Sequence, residues 1–352
     1  CYESGDGVEA DPVRAAELYL QAAEQDYAPA QCNLGVCYLN GIGVETDPVQ
    51  AAEWLRRAAD LGFARAQSIL GVCYENGTGV EQDPERAVEL YRQAADQGYA
   101  PAMCNLGVCY LSGIGVETDP VQAVAWLQRS AALEFPRGQS ILADCYDSGT
   151  GVEADPTRAA ELYRQAADQG YPSAISSLGL CYEIGSGVEQ DPARAVELYR
   201  QAAEAGYVPA KCNLAVCCLN GIGMEADPVQ AVKLLEEAAG EGFARALHIL
   251  GRCCQDGSGC PKDLERAAEL FRQSAEAEYP PAMCELGLCL ELGEGLPQDP
   301  AAGVEWYRKS AEAGFAPAMC NLGFCYFTGT GVEADPAQAV EWFRRAVQED
   351  FP

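Results

Sequence analysis

The residues best able to do chemistry in this sequence are its eighteen cysteines, and their spacing is regular. One series falls every 36 residues, at Cys1, Cys37, Cys73, Cys109, Cys145, Cys181, Cys217, Cys253, Cys289 and Cys325. A second position, five residues earlier, carries Cys32, Ser68, Cys104, Ser140, Ser176, Cys212, His248, Cys284 and Cys320. Such thiols can form disulfides, ligate metal, attack as nucleophiles, or simply pack as small apolar side chains. On one helix Cys32 and Cys37 are about 7.5 Å apart along the axis, beyond the roughly 6.8 Å between Cα atoms that a disulfide tolerates. The densest cluster is Cys253, Cys254 and Cys260, with His248 just upstream. It lacks the paired C-x2-C spacing of zinc sites, and adjacent helical residues point about 100° apart. His248 is the only histidine, so the other repeats have no base to activate a cysteine. The spacing therefore predicts no catalytic residue, no metal site and no cofactor.

Those cysteines are set in a repeated frame. Aspartate recurs at Asp11, Asp47, Asp83, Asp119, Asp155, Asp191, Asp227, Asp263, Asp299 and Asp335, always 36 residues apart, and proline follows all but Asp263. Asp-Pro supplies an N-cap acceptor and a residue suited to the first helical position. Ala51, Trp54, Leu55, Ala58 and Ala59 then form one apolar helical stripe. This helix, termed helix B, is predicted from Pro48 to about Leu61, with Gly62 as a left-handed C-cap. Four repeats carry Asp26, Glu134, Glu278 or Asp350 at that cap. Helix A is predicted from Ala28 to Leu39, and in the next repeat from about Ala64 to Glu75, ending at Asn76-Gly77. A pair of short helices cannot bury its apolar faces alone, so successive pairs must stack. The expected fold is all-α, a right-handed α-solenoid superhelix of antiparallel helix pairs. It is expected as one array over 1–352, with a partial repeat at 1–27 and nine complete repeats from 28 to 351. Repeats of a C-N-L type (Ala28, Ala100, Val208) precede repeats of an S-I-L or H-I-L type (Ala64, Pro136, Ala244), as if a 72-residue pair had been duplicated.

The matching residues are Ala30, Leu34, Gly35, Tyr38, Gly41, Gly43, Val44, Asp47, Ala51, Leu55, Ala58, Ala59 and Gly62. On these the sequence resembles the Sel-one-like repeat family, relatives of the tetratricopeptide repeat. The resemblance implies a non-enzymatic adaptor or scaffold that binds a protein or peptide in a concave groove lined by helix A. Departures gather late in the chain, where Cys218, Cys254 and Leu290 replace the tyrosine, and Met224, Cys260 and Leu296 replace the valine. Cysteine-rich secreted relatives staple helix B to the following helix A. Here the end of helix B carries Ala58 and Ala59 with no cysteine to pair, which favours free thiols and a cytoplasmic setting, with export still possible.

The Cys37 series is expected in the core, beside Tyr38. The Cys32 series alternates cysteine, serine and histidine and is expected to line the groove. By analogy with tetratricopeptide repeats the groove also takes the positions of Val36, Leu39 and Asn40. The candidate partner-binding residues are Cys32, Val36, Leu39, Ser68, Val72, Glu75, Cys104, Val108, Leu111, Cys212, Val216, Leu219, His248, Cys284, Cys320, Phe324 and Phe327. Apolar stretches alternate there with acidic ones at Glu75, Asp144 and Asp147. A peptide with apolar anchors and basic residues between them would suit that pattern. The net charge of −30 opposes nucleic-acid binding, and no apolar run approaches a membrane span. Two further readings stay open, a redox or metal-handling module that uses the groove thiols, and a structural spacer between flanking domains.

Overall fold

The computed structural model describes Tyr2, Gly5 and residues 7–349. Cys1 and Asp350 therefore lie outside the described residues. Every described element is helical, and the chain divides into two compact units, one of residues 1–174 with 186–188, the other of 175–185 with 189–352. The first holds α1 (Pro12–Ala23), α2 (Ala28–Asn40), α3 (Pro48–Asp60), α4 (Ala64–Asn76), α5 (Pro84–Asp96), α6 (Ala100–Ser112), α7 (Pro120–Ala132), α8 (Pro136–Ser148) and α9 (Pro156–Asp168). From α10 (Pro172–Ile184) the series continues through α11 (Pro192–Glu204), α12 (Val208–Asn220), α13 (Pro228–Gly240), α14 (Ala244–Asp256) and α15 (Leu264–Glu276). It ends with α16 (Pro280–Leu292), α17 (Pro300–Glu312), α18 (Ala316–Thr328) and α19 (Pro336–Gln348). Even-numbered helices are helix A and odd-numbered ones helix B. Within each unit a helix packs on the next in the chain, so the fold is an α-solenoid of helix pairs.

Local chemistry sets the ends of each helix. All ten recurring aspartates accept a hydrogen bond from the backbone N–H three residues on, as Asp47 does from Gln50 at 3.0 Å. Asp263 does so although Leu264 stands where proline usually follows. Helix A ends on a left-handed glycine such as Gly41, at φ 69°. At the end of helix B, Asp26, Glu134 and Glu278 adopt the same left-handed conformation without being glycine, at φ 61°, 58° and 59°. All three are exposed, and each carries the Cβ penalty that glycine avoids.

The core is built from small residues. Leu55 enters the space above Gly35, where an added Cβ would come within 2.7 Å of its Cγ. Ser130, Ser274 and Ser310 take the Ala58 position, fully buried, and each hydroxyl donates to the carbonyl of the first helix-A residue of its own repeat. The nine described members of the Cys37 series are all buried, as their place beside the helix-A core predicts.

The second loop glycine fastens one repeat to the one before. A Cβ on Gly115 would lie 2.2 Å from the carbonyl oxygen of Pro84, at the start of α5, and the same close approach recurs from Gly43 on Pro12 to Gly331 on Pro300. Replacing Gly115 with alanine combines this overlap with a left-handed backbone and should destabilise by about 3 kcal/mol or more. Glu134→Gly should instead stabilise by about 0.5–1 kcal/mol, the left-handed penalty less the entropy cost of glycine. Opposite shifts of the urea midpoint at unchanged slope are expected. Shifts of the same sign would contradict this assignment of the two backbones.

Candidate functional site

The candidate binding face lies on helix A, and burial separates positions that the sequence pattern groups on one stripe. Val36, Val108 and Val216 are half-exposed, and Val72 and Phe324 are exposed. Leu39, Glu75, Leu111 and Leu219 are half-buried, while Phe327 is exposed. These residues do lie at the accessible surface. Most of the Cys32 series does not.

Cys32, Cys104 and Cys212 have no exposed surface, and Ser68 and Cys284 are also buried. Of the candidates at this position only His248 and Cys320 are half-buried. The expectation that this position lines a groove is therefore corrected for Cys32, Ser68, Cys104, Cys212 and Cys284. Cys32 stands one turn before Val36 on nearly the same side of the helix, and the packing of α3 and α4 over that turn is what covers it. Cys32 packs in a cluster with Ala52, Leu55 and Leu70. The asparagine amide of Asn321 reaches back to the Cys284 sulfur at 3.4 Å.

Burial also removes the chemistry these thiols could offer. It pushes Cys32 and Cys104 up to about 11 and Cys284 up to about 12, and the nearby Arg65 and Arg137 lower Cys32 and Cys104 only in part. A thiolate nucleophile or ligand needs the opposite shift. Among the described residues no three His, Cys, Asp or Glu side chains converge to hold a metal ion.

The acidic candidates have an internal role. Tyr91 is fully buried at the helix-B core position, and its hydroxyl donates to Glu75 at 2.6 Å. Tyr199 donates to Glu183 and Tyr307 to Glu291 in the same way, and Tyr163 donates to Asp144. Where helix B carries Leu55, Leu127 or Leu235, the matching helix-A residue is Leu39, Leu111 or Leu219. Where it carries Phe271 or Phe343, no carboxylate is present there either, the residues being Gln255 and Phe327. A buried hydroxyl needs an acceptor and a buried leucine does not. Three of the four bonds are visible in the sequence as covariation 16 residues apart, and that of Tyr163 spans 19. Reading the helix-A residue as groove chemistry alone hides the pairing.

A second set of residues was missed. The arginine near the start of one helix A donates to the asparagine of the preceding helix A, Arg65 to Asn33 at 3.0 Å, Arg137 to Asn105 at 2.6 Å and Arg245 to Asn213 at 2.7 Å. In the opposite direction Arg252, late in α14, pairs with Glu285 of the following helix A at 3.0 Å. These bonds give the alternation of C-N-L and S-I-L repeats its physical basis, since each repeat supplies the partner its neighbour needs.

The Sel1 repeat model matches the chain ten times, over residues 1–27, 28–63, 64–99, 100–135, 136–171, 172–207, 208–243, 244–279, 280–315 and 316–351. The chain belongs to the Sel1 repeat family. It is similar to a Sel1 repeat protein from Oxalobacter formigenes, at 29% identity and a TM-score of 0.63 over 69% of this chain and 96% of that one. It is also similar to c5321, a protective antigen of uropathogenic Escherichia coli strains with an SLR fold, at 29% identity and a TM-score of 0.53 over 95% and 89% of the two chains. Yeast Tom70 shares the fold at 12% identity and a TM-score of 0.50, over 99% of this chain and 82% of that one. Comparison with curated protein sequences gave no match. Sel1 and tetratricopeptide-like repeats are generally protein-interaction scaffolds and typically non-catalytic. No described helix is long and apolar enough to cross a membrane.

His248 is set between aromatic rings, 5.9 Å from Phe271 and 5.5 Å from Tyr279. Burial, with repulsion from Arg252, pulls its imidazole from 6.5 down to about 4. Between those pH values the unfolded chain takes up a proton that the folded chain refuses. The resulting stability is fully present above pH 6.5 and is lost as the pH falls towards 4. His248→Gln should therefore flatten the acid limb of the stability–pH curve across this window. Parallel curves for parent and variant would refute the assignment.

Proposed function

We propose that the chain is a protein-binding scaffold whose partners dock on the exposed positions of helix A within a unit, Val36, Val72 and Val108 in the first and Val216, Phe324 and Phe327 in the second. One observation carries this reading. Large apolar side chains sit accessible at those positions, with Val72 39% exposed, Phe324 61% and Phe327 62%. Scattered exposed apolar residues are ordinary, but these recur at two helix-A positions three residues apart, those of Val36 and Leu39, and both are phenylalanine in the last repeat.

Charge supports the chemistry of the partner. The chain carries −30, and Asp144 and Asp147 lie exposed on the same helix-A face within the first unit. A partner with apolar anchors and basic residues between them complements that surface, and its association should slow as salt rises. The thiol-using alternative loses its footing, because the cysteines it would use are mostly buried with raised pKa values.

A displayed peptide library selected on the parent protein tests the reading. Selected sequences should be basic with spaced apolar residues. Their affinity should fall by about tenfold or more on a Phe324→Asp, Phe327→Asp double variant whose melting temperature is unchanged. Equal binding to parent and variant by every selected peptide would remove this face from the site.

A further inference from the structure

In most repeats a tyrosine in the last turn of helix A is followed, six residues on, by a valine of the next loop, as in Tyr38 and Val44. The repeat at 244–279 replaces both with cysteine, Cys254 at the end of α14 and Cys260 in the loop beyond. Cys254 is fully buried and Cys260 half-buried. The Cys260 thiol donates to the Cys254 sulfur, and the two sulfurs are 3.7 Å apart. A disulfide bond is about 2.05 Å long, so closure asks for under 2 Å of sulfur movement.

The backbone between them is already closed. The Asp263 N–H donates to the Cys254 carbonyl at 2.8 Å, and the Gly257 and Ser258 N–H groups both donate to the Cys253 carbonyl, at 2.9 and 3.0 Å. Little chain entropy remains to be lost on bridging, so the second thiol is presented at high effective concentration. Cys253 is one residue from Cys254 and points about 100° away around the helix, which leaves Cys260 as the sulfur in contact. The preceding repeat provides an internal control. There Cys218 lies 3.6 Å from Met224, a thioether that cannot form a disulfide.

We propose that Cys254 and Cys260 form a redox-active dithiol that a small disulfide oxidant converts to an intramolecular disulfide. Burial raises the pKa of the Cys254 thiol, so the half-exposed Cys260 attacks first. Its thiolate displaces one thiol from the oxidant and forms a mixed disulfide. Cys254 then gives up its proton, attacks the Cys260 sulfur and expels the second thiol. Two protein thiols are oxidised by two electrons, and one oxidant disulfide is reduced to two thiols. The bridge would tie α14 to a loop whose Gly259 lies against the Pro228 carbonyl of α13, where a Cβ would come within 2.0 Å. Oxidation thus locks the junction between the repeats at 208–243 and 244–279.

One tryptic peptide, Cys253 to Lys262, contains all three cysteines of this region. The folded protein is treated with oxidised glutathione or with dithiothreitol, then denatured, alkylated and digested. The reduced sample should carry three alkyl groups on this peptide and the oxidised sample one, placed on Cys253 by fragmentation. Cys260→Ser, at a half-exposed position, should fold and keep alkyl groups on both Cys253 and Cys254 after the same oxidation. Three alkyl groups after oxidation of the parent would overturn the proposal, as would a single group on Cys254 or Cys260.

Discussion

At each repeat boundary a loop backbone lies against the start of the preceding helix B with no room for a methyl group. The contact is between main-chain atoms, so no change of side chain can relieve it if a Cβ is introduced. It fixes where each helix A ends relative to the previous pair, and with it the register in which the next pair is laid down. The asparagine and arginine bonds from one helix A to the next depend on that register. So do the buried cysteines of the Cys32 series, which sit where neighbouring helices meet.

Buried polar groups show how the array absorbs change without losing this frame. A tyrosine hydroxyl enters the core only where the preceding helix A offers a carboxylate, and a leucine core is matched by leucine. Serine replaces alanine at the close helix contact, where its hydroxyl donates to the carbonyl of the first helix-A residue, whose oxygen has a second lone pair to offer. Each exchange satisfies the polar atom it brings in, as a buried donor or acceptor without a partner costs about 1–3 kcal/mol. Repetition has therefore been relaxed in pairs of positions within a repeat, whereas the arginine–asparagine bonds between repeats follow the two-repeat alternation.

The fold was legible because its signals are local and recur. Asp-Pro starts, glycine stops and the apolar stripe of helix B each point to one structure, and helix A extends past its expected end only by Asn40 and Asn76. The site was less legible. Cysteine, serine and histidine at one position suggest a polar surface when read by polarity, whereas the shared property of cysteine and serine there is small size. Only the packing of α3 and α4 around Cys32 reveals that size is what matters. Glu75 misled for the complementary reason, since a carboxylate on a helix face gives no sign of the tyrosine behind it unless the two positions are compared across repeats.

The position of Val36 resolves what packing demands from what it leaves free. Its nine described members are Val36, Val72, Val108, Asp144, Leu180, Val216, Arg252, Leu288 and Phe324, each exposed or half-exposed. Asp144 and Arg252 occupy it within intact helix pairs, so stacking does not require an apolar side chain there. Helix propensity does not call for one either, because valine and phenylalanine are poorer helix formers than alanine, glutamate or arginine. Solubility would favour the charged alternatives, all the more in a chain whose other surfaces are strongly acidic. Leu288 and Phe324 still rest partly on the core, and for the other apolar members the proposed contact with a partner supplies the reason that helix formation and solubility do not.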